Sequence, residues 1–256
     1  MSWLRTVGID LRLSARRIGR LPRYWAQYRT LLRQRDAGGA AWNVEPNFPC
    51  LLDVDADGGT ASGHYFHQDL LVARRIFEMR PERHVDVGSR IDGFVAHVAV
   101  FRPIEVIDIR PLGSASVPNI TFRQANLMSM PDELVDCCDS LSCLHALEHF
   151  GLGRYGDPLD IDGHVKGLRN LTRMLRSRGL LYLSVPVGRE RIEFNAHRVF
   201  SPQTILALTS SDFVGERFSY VDDAGRLHED VGSASEMMQG VSMLQYGCGI
   251  FELRKR

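Results

Sequence analysis

The feature that most constrains the fold of this chain is a regular alternation of short apolar runs and helix-like segments after residue 63. Such alternation predicts a doubly wound α/β sheet, mostly parallel, because parallel strands need helical crossovers between them. The predicted strands are His84–Val87, Ile104–Ile109, Ile120–Gln124, Cys137–Leu144, Leu180–Val185, Phe213–Val221 and Gly249–Leu253. The predicted helices are His64–Arg80, Ile91–Phe101, Ile161–Arg176 and Pro202–Thr209. Only a loop is predicted between the last two strands, so we expect the sheet to close with an antiparallel pair.

Length and composition predict one large domain with an appendage. The chain has 256 residues, of which 44% are hydrophobic, enough for a sizeable core. We expect a basic amphipathic helical segment over residues 1–36, a connector rich in Gly, Pro, Asp and Asn over 37–63, and the α/β domain over 64–256. No apolar run approaches the length of about 18 residues that would span a membrane. The cysteines form no CxxC pair and no signal-peptide core stands out, so a cytoplasmic location is expected.

The net charge of zero conceals a basic N-terminal segment. Residues 1–36 carry nine arginines against two aspartates, a net charge of +7 that the other 220 residues balance. Apolar residues recur every seven positions at Leu4, Leu11, Ile18, Trp25 and Leu32, and Val7 also lies on this stripe. Pro22 is expected to interrupt or kink the helix. The segment suits docking on its own domain or on a second copy in a homodimer, peripheral contact with an anionic membrane, or organelle targeting.

Polar residues at the ends of the first two predicted strands indicate a nucleoside-like ligand. Gly88 follows the first strand at a tight turn where the backbone can approach a ligand closely, and helix amides beyond it are exposed donors. Asp108 ends the second strand, where a carboxylate can accept both hydroxyl protons of a ribose. A nicotinamide dehydrogenase would use the same carboxylate but requires GxGxxG, whereas this turn reads GSRIDG. A purely structural strand–helix turn is the other interpretation.

The sequence HALEH, which contains His145, Glu148 and His149, follows the fourth predicted strand and fits the inverted zinc-protease motif HxxEH. Two histidines four apart on a helix can ligate one metal, but here a glycine-rich loop follows at once and no third ligand is evident. We therefore expect no metal. A role in the crevice is favoured instead, with His145 against a cofactor and Glu148 and His149 toward an acceptor, and a structural role is the alternative.

A second polar cluster follows the fifth predicted strand and should reach the same crevice, because carboxyl ends of parallel strands share one edge. His149 or His197 could take a proton from an acceptor hydroxyl, and Glu148 or Arg198 could orient that acceptor. The candidate substrate-binding residues are Arg154, Tyr155, Asn195 and Arg198. A solvated loop is the alternative for the second cluster.

Five segments within residues 64–230 together resemble the family called domain of unknown function 268. They are DVGSRIDGF, IDIRPL, LSCLHALEHFGLGRYGDP, LYLSVPVGRE and EFNAHRVFSP. That family is similar to class I S-adenosylmethionine-dependent methyltransferases, and some members are associated with surface-glycan gene clusters. The resemblance implies a Rossmann-like sheet of the class I methyltransferase type, with S-adenosylmethionine as cofactor.

The resemblance also implies site residues and an activity. The cofactor-binding positions would be Asp86, Gly88, Ser89, Asp108, Ile109, Asn126, Leu127 and His145. Arg90 and Asp92 stand where the DxGxGxG pattern has glycines, and Asn126 stands where an acidic residue usually meets the adenine amine. The implied reaction is O-methylation of a small-molecule, saccharide or surface-glycan acceptor, with no nucleic-acid partner. The alternative is a catalytically silent scaffold in glycan assembly that docks through its N-terminal helix.

Overall fold

The computed structural model describes residue 8 and residues 10–39, 41–113, 116–232 and 235–256. The chain divides into two compact units, residues 1–60 and residues 61–256. Among the described residues, no helix combines the length and the apolar character needed to cross a membrane.

The first unit is built on one long helix, α1 (Leu11–Gly38). It begins where the Asp10 side chain accepts a hydrogen bond from the backbone N–H of Leu13 at 3.0 Å, and it ends at Gly39 in the left-handed conformation. The helix continues through Pro22, so the predicted interruption there is wrong. Leu4 and Val7, the first members of the predicted apolar stripe, lie outside the described residues.

One side of α1 is covered by the segment that follows it. The hydroxyls of Tyr24 and Tyr28 donate to the backbone carbonyls of Pro46 and Val44, each at 3.1 Å. A 3-10 turn (Asp53–Asp55) brings Asp55 into an ion pair with Arg20. Other apolar side chains of the helix, Leu11, Ile18 and Trp25, remain exposed in this unit.

The second unit contains the sheet and its helices. Its strands are β1 (His84–Val87), β2 (Ile104–Asp108), β3 (Ile120–Gln124), β4 (Cys138–Leu144), β5 (Leu175–Val187), β6 (Arg191–Glu193), β7 (His197–Val199), β8 (Phe213–Val221), β9 (Leu227–His228) and β10 (Gly247–Lys255). Its α-helices are α2 (His64–Met79), α3 (Ala96–Ala99), α4 (Gly163–Met174), α5 (Pro202–Thr209) and α6 (Ser235–Ser242). A π-helical turn (Ile91–Val95) precedes α3, and 3-10 turns occur at Leu127–Ser129, Asp132–Leu134 and Leu147–His149.

Eight strands form one sheet in the order β3-β2-β1-β4-β5-β10-β8-β9. The strands from β3 to β5 pair in parallel, whereas β10 lies antiparallel between β5 and β8. This arrangement confirms the prediction of a mostly parallel sheet that ends in an antiparallel pair of strands. Strand order reverses between β1 and β4, and ligands of open α/β sheets bind at such a point, beyond the carboxyl ends of the strands.

A separate apolar core packs on each face of the sheet. One contains Leu168 and Leu171 of α4 against Val85 and Leu141 of the sheet. The other contains Ile76 of α2 and further side chains against the opposite side of the same strands. Because both faces are covered, β1 is buried along its whole length, as expected for a central parallel strand.

Several predicted boundaries and connections are wrong. β5 begins earlier than predicted, and a small antiparallel hairpin, β6–β7, follows it where only a polar cluster was expected. The last two long strands are joined through β9 and α6 instead of a simple loop. The predicted helix Ile91–Phe101 starts as a π-turn in which Gly93 is non-helical. A side chain at Gly93 would place its Cβ 2.9 Å from a carboxylate oxygen of Asp69, so this turn packs closely against α2.

Candidate active site

A cleft that opens to solvent lies at the carboxyl ends of β1 to β4. It contains many of the residues predicted from the sequence: Gly88, Asp108, Ile109, Asn126, Leu127, His145, His149 and Tyr155. The structure therefore brings the strand-end positions together, as the switch point of the sheet requires.

Gly88 shapes the turn after β1. Its φ is +77°, a left-handed conformation that disfavours any side chain, and its N–H donates to the carbonyl of Ile107 at 2.9 Å. A Cβ added at Gly88 would lie 2.7 Å from the Cβ of Ala146, in the turn after β4. The glycine thus serves the direct packing of two turns that form the floor of the cleft.

Asp86 lies behind this turn and does not line the cleft. Its carboxylate accepts hydrogen bonds from the N–H and hydroxyl of Ser89, at 3.0 and 2.7 Å, and from the hydroxyl of Ser142 at 2.5 Å. Burial raises the pKa of Asp86 to about 6, and the hydrogen bonds from Ser142 and Ser89 oppose the rise. Asp86 and Ser89, two of the eight positions predicted to contact a cofactor, hold the turn that carries Gly88.

Asp108 ends β2 beside the cleft, as predicted, and its carboxylate is engaged by Arg110. The backbone N–H and Nε of Arg110 donate to Oδ1 at 2.8 and 3.0 Å, and Nη2 donates to Oδ2 at 2.5 Å. The guanidinium also lies over the Tyr155 ring, 4.4 Å from its centroid. A carboxylate has about four acceptor positions, and Arg110 occupies three of them, so Asp108 keeps one position, on Oδ2, for an incoming hydroxyl.

Asn126 and Leu127 form the next wall. The Asn126 side-chain oxygen accepts from the N–H of Met128 at 2.9 Å and caps the 3-10 turn that starts at Leu127. The carbonyl of Leu127 accepts from the Asn170 side chain at 2.7 Å, which fixes this turn to α4. The amide of Asn126 keeps donor capacity as well as a second lone pair on its oxygen.

Glu148 is buried between the two histidines of the HALEH sequence. Its Oε1 lies 2.8 Å from Nδ1 of His145 and 3.7 Å from Nε2 of His149. Burial by itself raises the pKa of Glu148, but the neighbouring His145 and His149 outweigh it and leave the pKa below its usual value. For His145, burial by itself lowers the pKa, but Cys248 and Glu148 together raise it well above its usual value. The acid is therefore ionised and hydrogen-bonded to His145, and it lies close to His149.

His149 lines the cleft in a defined tautomer. Its Nδ1 lies 2.6 Å from the carbonyl of Ala196, which can only accept, so Nδ1 carries the hydrogen. Nε2 is then the basic nitrogen and faces Glu148. Burial lowers the pKa of His149, although Glu148 opposes this shift, and the ring is neutral near pH 7. Tyr155 contacts the ring edge-to-face, with 5.4 Å between centroids.

Aromatic rings gather on the far side of His145. His64 stacks on His145 with 5.1 Å between centroids, and Tyr65 lies 5.2 Å from the same ring. Tyr246 contacts His64 at 5.1 Å and His197 at 4.9 Å. Burial, followed by repulsion from His145, lowers the pKa of His64 to about 4. His197 thus joins a ring cluster near Glu148.

Arg198 departs from its predicted role in acceptor binding. It is buried, and its guanidinium donates to the backbone carbonyls of Glu148, Phe150, Asp160 and Ile161 at 2.6–3.4 Å. It therefore holds the loop after β4 against the β6–β7 hairpin. Asn195 is exposed at the tip of that hairpin. Arg154 stays near the cleft: it donates to the carbonyl of Ala196 at 2.9 Å and lies over Tyr155.

Sequence reasoning missed several residues of this site. Asp157 lines the cleft and accepts from the N–H groups of Gly151, Gly153 and Tyr155, which shapes the glycine-rich loop. Its position after that loop was a usable signal, since aspartate often bonds nearby backbone in turns. His64, Tyr246 and Cys248 gave no such signal, because they come from helix and strand segments distant in sequence.

Comparison with known proteins agrees with this geometry. The family described as Caenorhabditis protein of unknown function, DUF268, matches residues 121–234. The match confirms the resemblance predicted from the sequence over those residues, which run from β3 to the segment before α6. No curated protein matches the chain.

Solved structures identify the fold class. N-methyltransferase NodS from Bradyrhizobium japonicum WM9, in complex with S-adenosyl-L-homocysteine, is similar with a TM-score of 0.51 and 11% identity, over 75% of this chain and 88% of NodS. 1,6-Didemethyltoxoflavin-N1-methyltransferase from Burkholderia thailandensis, with bound 1,6-didemethyltoxoflavin and S-adenosylhomocysteine, is similar with a TM-score of 0.52 and 12% identity, over 92% of this chain and 90% of that protein. The [4+2]-cyclase SpnF is similar with a TM-score of 0.50 and 16% identity, over 74% of this chain and 80% of SpnF. The predicted class I methyltransferase fold is confirmed, and at these identities the likeness is one of fold alone.

Proposed function

We propose that the second unit is an S-adenosylmethionine-dependent methyltransferase that methylates a hydroxyl of a small acceptor. The observation that carries this proposal is the meeting, in one cleft, of the Gly88 turn, the Asp108 carboxylate and His149. Similar folds crystallised with S-adenosylhomocysteine support the cofactor, and the residues of this cleft provide the contacts that such a cofactor needs.

The cleft fits a nucleoside with a charged amino-acid tail. Asp108 would accept a ribose hydroxyl through its remaining acceptor position, Asn126 and the N–H of Leu127 would meet the adenine edge, and the Gly88 turn would pass close to the tail. Ile107 and Ala125 add apolar surface for the ring, since both also line the cleft. The Arg90–Asp92 ion pair, which replaces two glycines of the usual pattern, lies outside this lining and leaves the cleft open.

His149 is proposed as the base. A sulfonium-bound methyl group is already electrophilic, so alignment of the acceptor oxygen with the methyl carbon and sulfur supplies most of the rate. Nε2 of His149 would take the hydroxyl proton as the oxygen–carbon bond forms and the carbon–sulfur bond breaks, so that the thioether S-adenosylhomocysteine leaves. The resulting imidazolium would then be stabilised by Glu148, whose Oε1 lies 3.7 Å from that nitrogen. His197 and Arg154 would orient the acceptor.

A saccharide or surface-glycan precursor is the proposed acceptor class. Sugars present apolar C–H faces as well as hydroxyls, and the side of the site beyond His145 offers aromatic rings beside polar groups. Tyr65, Tyr246 and His197 provide those surfaces. The association of the resembling family with glycan gene clusters supports the same class.

The N-terminal helix is proposed to bring the protein to an anionic membrane surface. Arg12, Arg16 and Arg17 are exposed on α1 together with the apolar side chains of Leu11 and Ile18. Each basic residue near such a surface contributes about 1 kcal/mol, so several engaged arginines suffice for reversible binding. Homodimerisation through the same helix is the competing outcome.

Calorimetric titration of the full chain with S-adenosylhomocysteine tests the cofactor assignment, with NAD as the control ligand. We expect one site for S-adenosylhomocysteine and none for NAD. Asp108→Asn should weaken binding about 10- to 150-fold, because hydrogen bonds to a charged group contribute about 1.5–3 kcal/mol. Asp92→Asn, an exposed carboxylate outside the cleft lining, is the matched control and should bind as the wild type does.

Methyl incorporation into a panel of saccharides then tests the reaction. His149→Ala should lower turnover about 10²- to 10⁴-fold without weakening S-adenosylhomocysteine binding. A wild-type protein that shows no binding at millimolar ligand would refute the enzyme proposal and favour the silent scaffold. If both His149→Ala and His197→Ala bind S-adenosylhomocysteine and show normal turnover, neither histidine is the base.

A further inference from the structure

A second group of chemically reactive side chains adjoins the proposed acceptor side. The ligand atoms of His64, His145 and Cys248 all lie within 4.8 Å of one another. The three residues come from the start of α2, the turn after β4 and strand β10, so only the fold brings them together. Cys248 is fully buried, His145 is 7% exposed, and His64 is half-buried.

His145 points an unused nitrogen into this group. Its Nδ1 is occupied by Glu148 at 2.8 Å, whereas its buried Nε2 has no hydrogen-bond partner among the described residues. A buried polar atom without a partner costs about 1–3 kcal/mol, so a structure that retains one calls for a ligand.

The surroundings of the two imidazoles match those of metal ligands. Metal-bound histidines usually have their other ring nitrogen held by a carboxylate or a backbone carbonyl, which fixes the ring and increases its basicity. Glu148 provides the carboxylate for His145. The carbonyl of Tyr246, two residues before Cys248, lies 3.1 Å from Nε2 of His64 and anchors that ring beside the group.

We propose that His64, His145 and Cys248 bind one Zn²⁺ ion with a fourth coordination position left open. Two imidazoles and a thiolate form a nitrogen–sulfur donor set that suits zinc. Cations that prefer oxygen ligands, such as Mg²⁺, have no oxygen ligand among these three side chains. Three protein ligands with one open position are the arrangement of catalytic zinc sites, whereas structural sites use four.

Binding requires a small closure of the site. Zinc bonds of about 2.0–2.3 Å place tetrahedral ligand atoms roughly 3.3–3.7 Å apart. The ligand atoms are at most 4.8 Å apart, so the longest separation has to shorten by no more than about 1–1.5 Å, and a small rotation of His64, the least buried of the three side chains, can supply this shift. Its half-buried position at the first residue of α2 permits that rotation.

The site revises one expectation drawn from the sequence. The two histidines of HALEH do not converge on one position, because Nε2 of His149 faces Glu148 and His149 is not part of the group formed by His64, His145 and Cys248. Only His145 of that sequence enters the proposed site, and its partners lie 81 residues before it and 103 residues after it. Tyr65, a ring of the proposed acceptor side, lies 5.2 Å from the His145 ring, so a bound water or an acceptor oxygen could complete the coordination.

Elemental analysis of the full chain, purified without chelator or histidine tag, tests the proposal. We expect about one zinc per chain, or uptake of one equivalent on titration with a rise in melting temperature. His64→Gln and Cys248→Ser should each reduce bound zinc to a small fraction. Glu148→Gln should weaken zinc affinity about 10- to 100-fold, the usual effect of removing a carboxylate behind a ligand histidine.

Matched controls separate ligation from folding. His67→Gln lies three residues along α2, and Cys143→Ser replaces another buried cysteine; both should keep zinc. Substitution by Co²⁺ should give a thiolate-to-metal charge-transfer band that disappears in Cys248→Ser while the circular dichroism spectrum is unchanged. Wild-type protein that neither contains nor takes up zinc would overturn the proposal, as would equal zinc loss in His67→Gln and His64→Gln. Neither readout depends on methyl transfer, so the two proposals fail separately.

Discussion

Replacing Gly88 by alanine should both destabilise the second unit and block the cleft. Gly88 has a φ of +77°, and a left-handed conformation costs a residue with a side chain about 1–2 kcal/mol. The new Cβ would also lie 2.7 Å from the Cβ of Ala146, and overpacking of a buried contact costs about 1–3 kcal/mol. The free energy of unfolding should therefore fall by about 2–5 kcal/mol.

A double-mutant cycle with Ala146→Gly separates the two contributions. Removing the Ala146 methyl group relieves the contact but leaves the unfavourable φ, so the cycle should show a coupling of about 1–3 kcal/mol. Gly156→Ala is the control: its φ is +83° and no heavy atom lies within 4 Å of the added Cβ. It should lose only the conformational part, about 1–2 kcal/mol.

Urea denaturation followed by far-ultraviolet circular dichroism is the suitable assay. All three tryptophans, Trp3, Trp25 and Trp42, belong to the first unit, so tryptophan fluorescence would not follow the sheet. S-Adenosylhomocysteine binding should also be lost in Gly88→Ala, since the turn lines the cleft. A loss of stability no larger than that of Gly156→Ala, or a cycle with no coupling, would refute the packing argument.

Three further predictions concern buried polar groups and the first unit. Burial, and after it repulsion from Arg102, lowers the pKa of His84 to about 3. The unfolded chain therefore takes up a proton at His84 below a pH of about 6.5, whereas the folded chain does so only near pH 3. The contribution of neutral His84 to folding stability is complete above about pH 6.5 and is lost as the pH falls toward 3. The stability difference between wild type and His84→Gln should therefore shrink by about 2 kcal/mol from pH 7 to pH 5 in urea titrations, and a constant difference would contradict it. Arg198→Lys should lower the free energy of unfolding by about 1–3 kcal/mol, because a lysine cannot donate to four carbonyls at once. The affinity for S-adenosylhomocysteine should stay the same, and a loss of affinity would indicate that Arg198 takes part in binding. Flotation of the full chain with anionic vesicles should fall steeply with salt and disappear when Arg12, Arg16 and Arg17 become glutamates, whereas a salt-independent dimer in light scattering would favour the homodimer.

The sequence was sufficient for the main architecture. Apolar runs such as Ile104–Asp108, separated by helical periods, predict parallel strands because periodicity reports which faces are buried. The antiparallel close was also predictable. The α6 helix was not, since eight residues with serines and a glycine carry too weak a periodic signal to distinguish a helix from a loop. The β6–β7 hairpin was missed for the same reason of length.

Of the site residues, the sequence could place only those that follow directly from the ends of the predicted strands. Gly88 and Asp108 could be placed in one cleft because the sheet topology assigns the carboxyl ends of β1 and β2 to the same edge. The environment of each side chain was not predictable. Asp86 and Arg198 are the same kinds of polar residue as Asp108 and Arg154, yet the first two are buried and bonded to the turn and loop around them.

The sequence by itself thus determined the long strands of the sheet, the edge at which the cleft lies, and the arrival there of strand-end residues such as Gly88 and Asp108. Only the tertiary structure decided which polar side chains remain available there, because availability depends on hydrogen bonds and burial among residues distant along the chain. It alone joined His64, His145 and Cys248, since no periodicity or local motif relates a helix start, a turn and an antiparallel strand. Local patterns specify elements, whereas the contacts between elements specify chemistry.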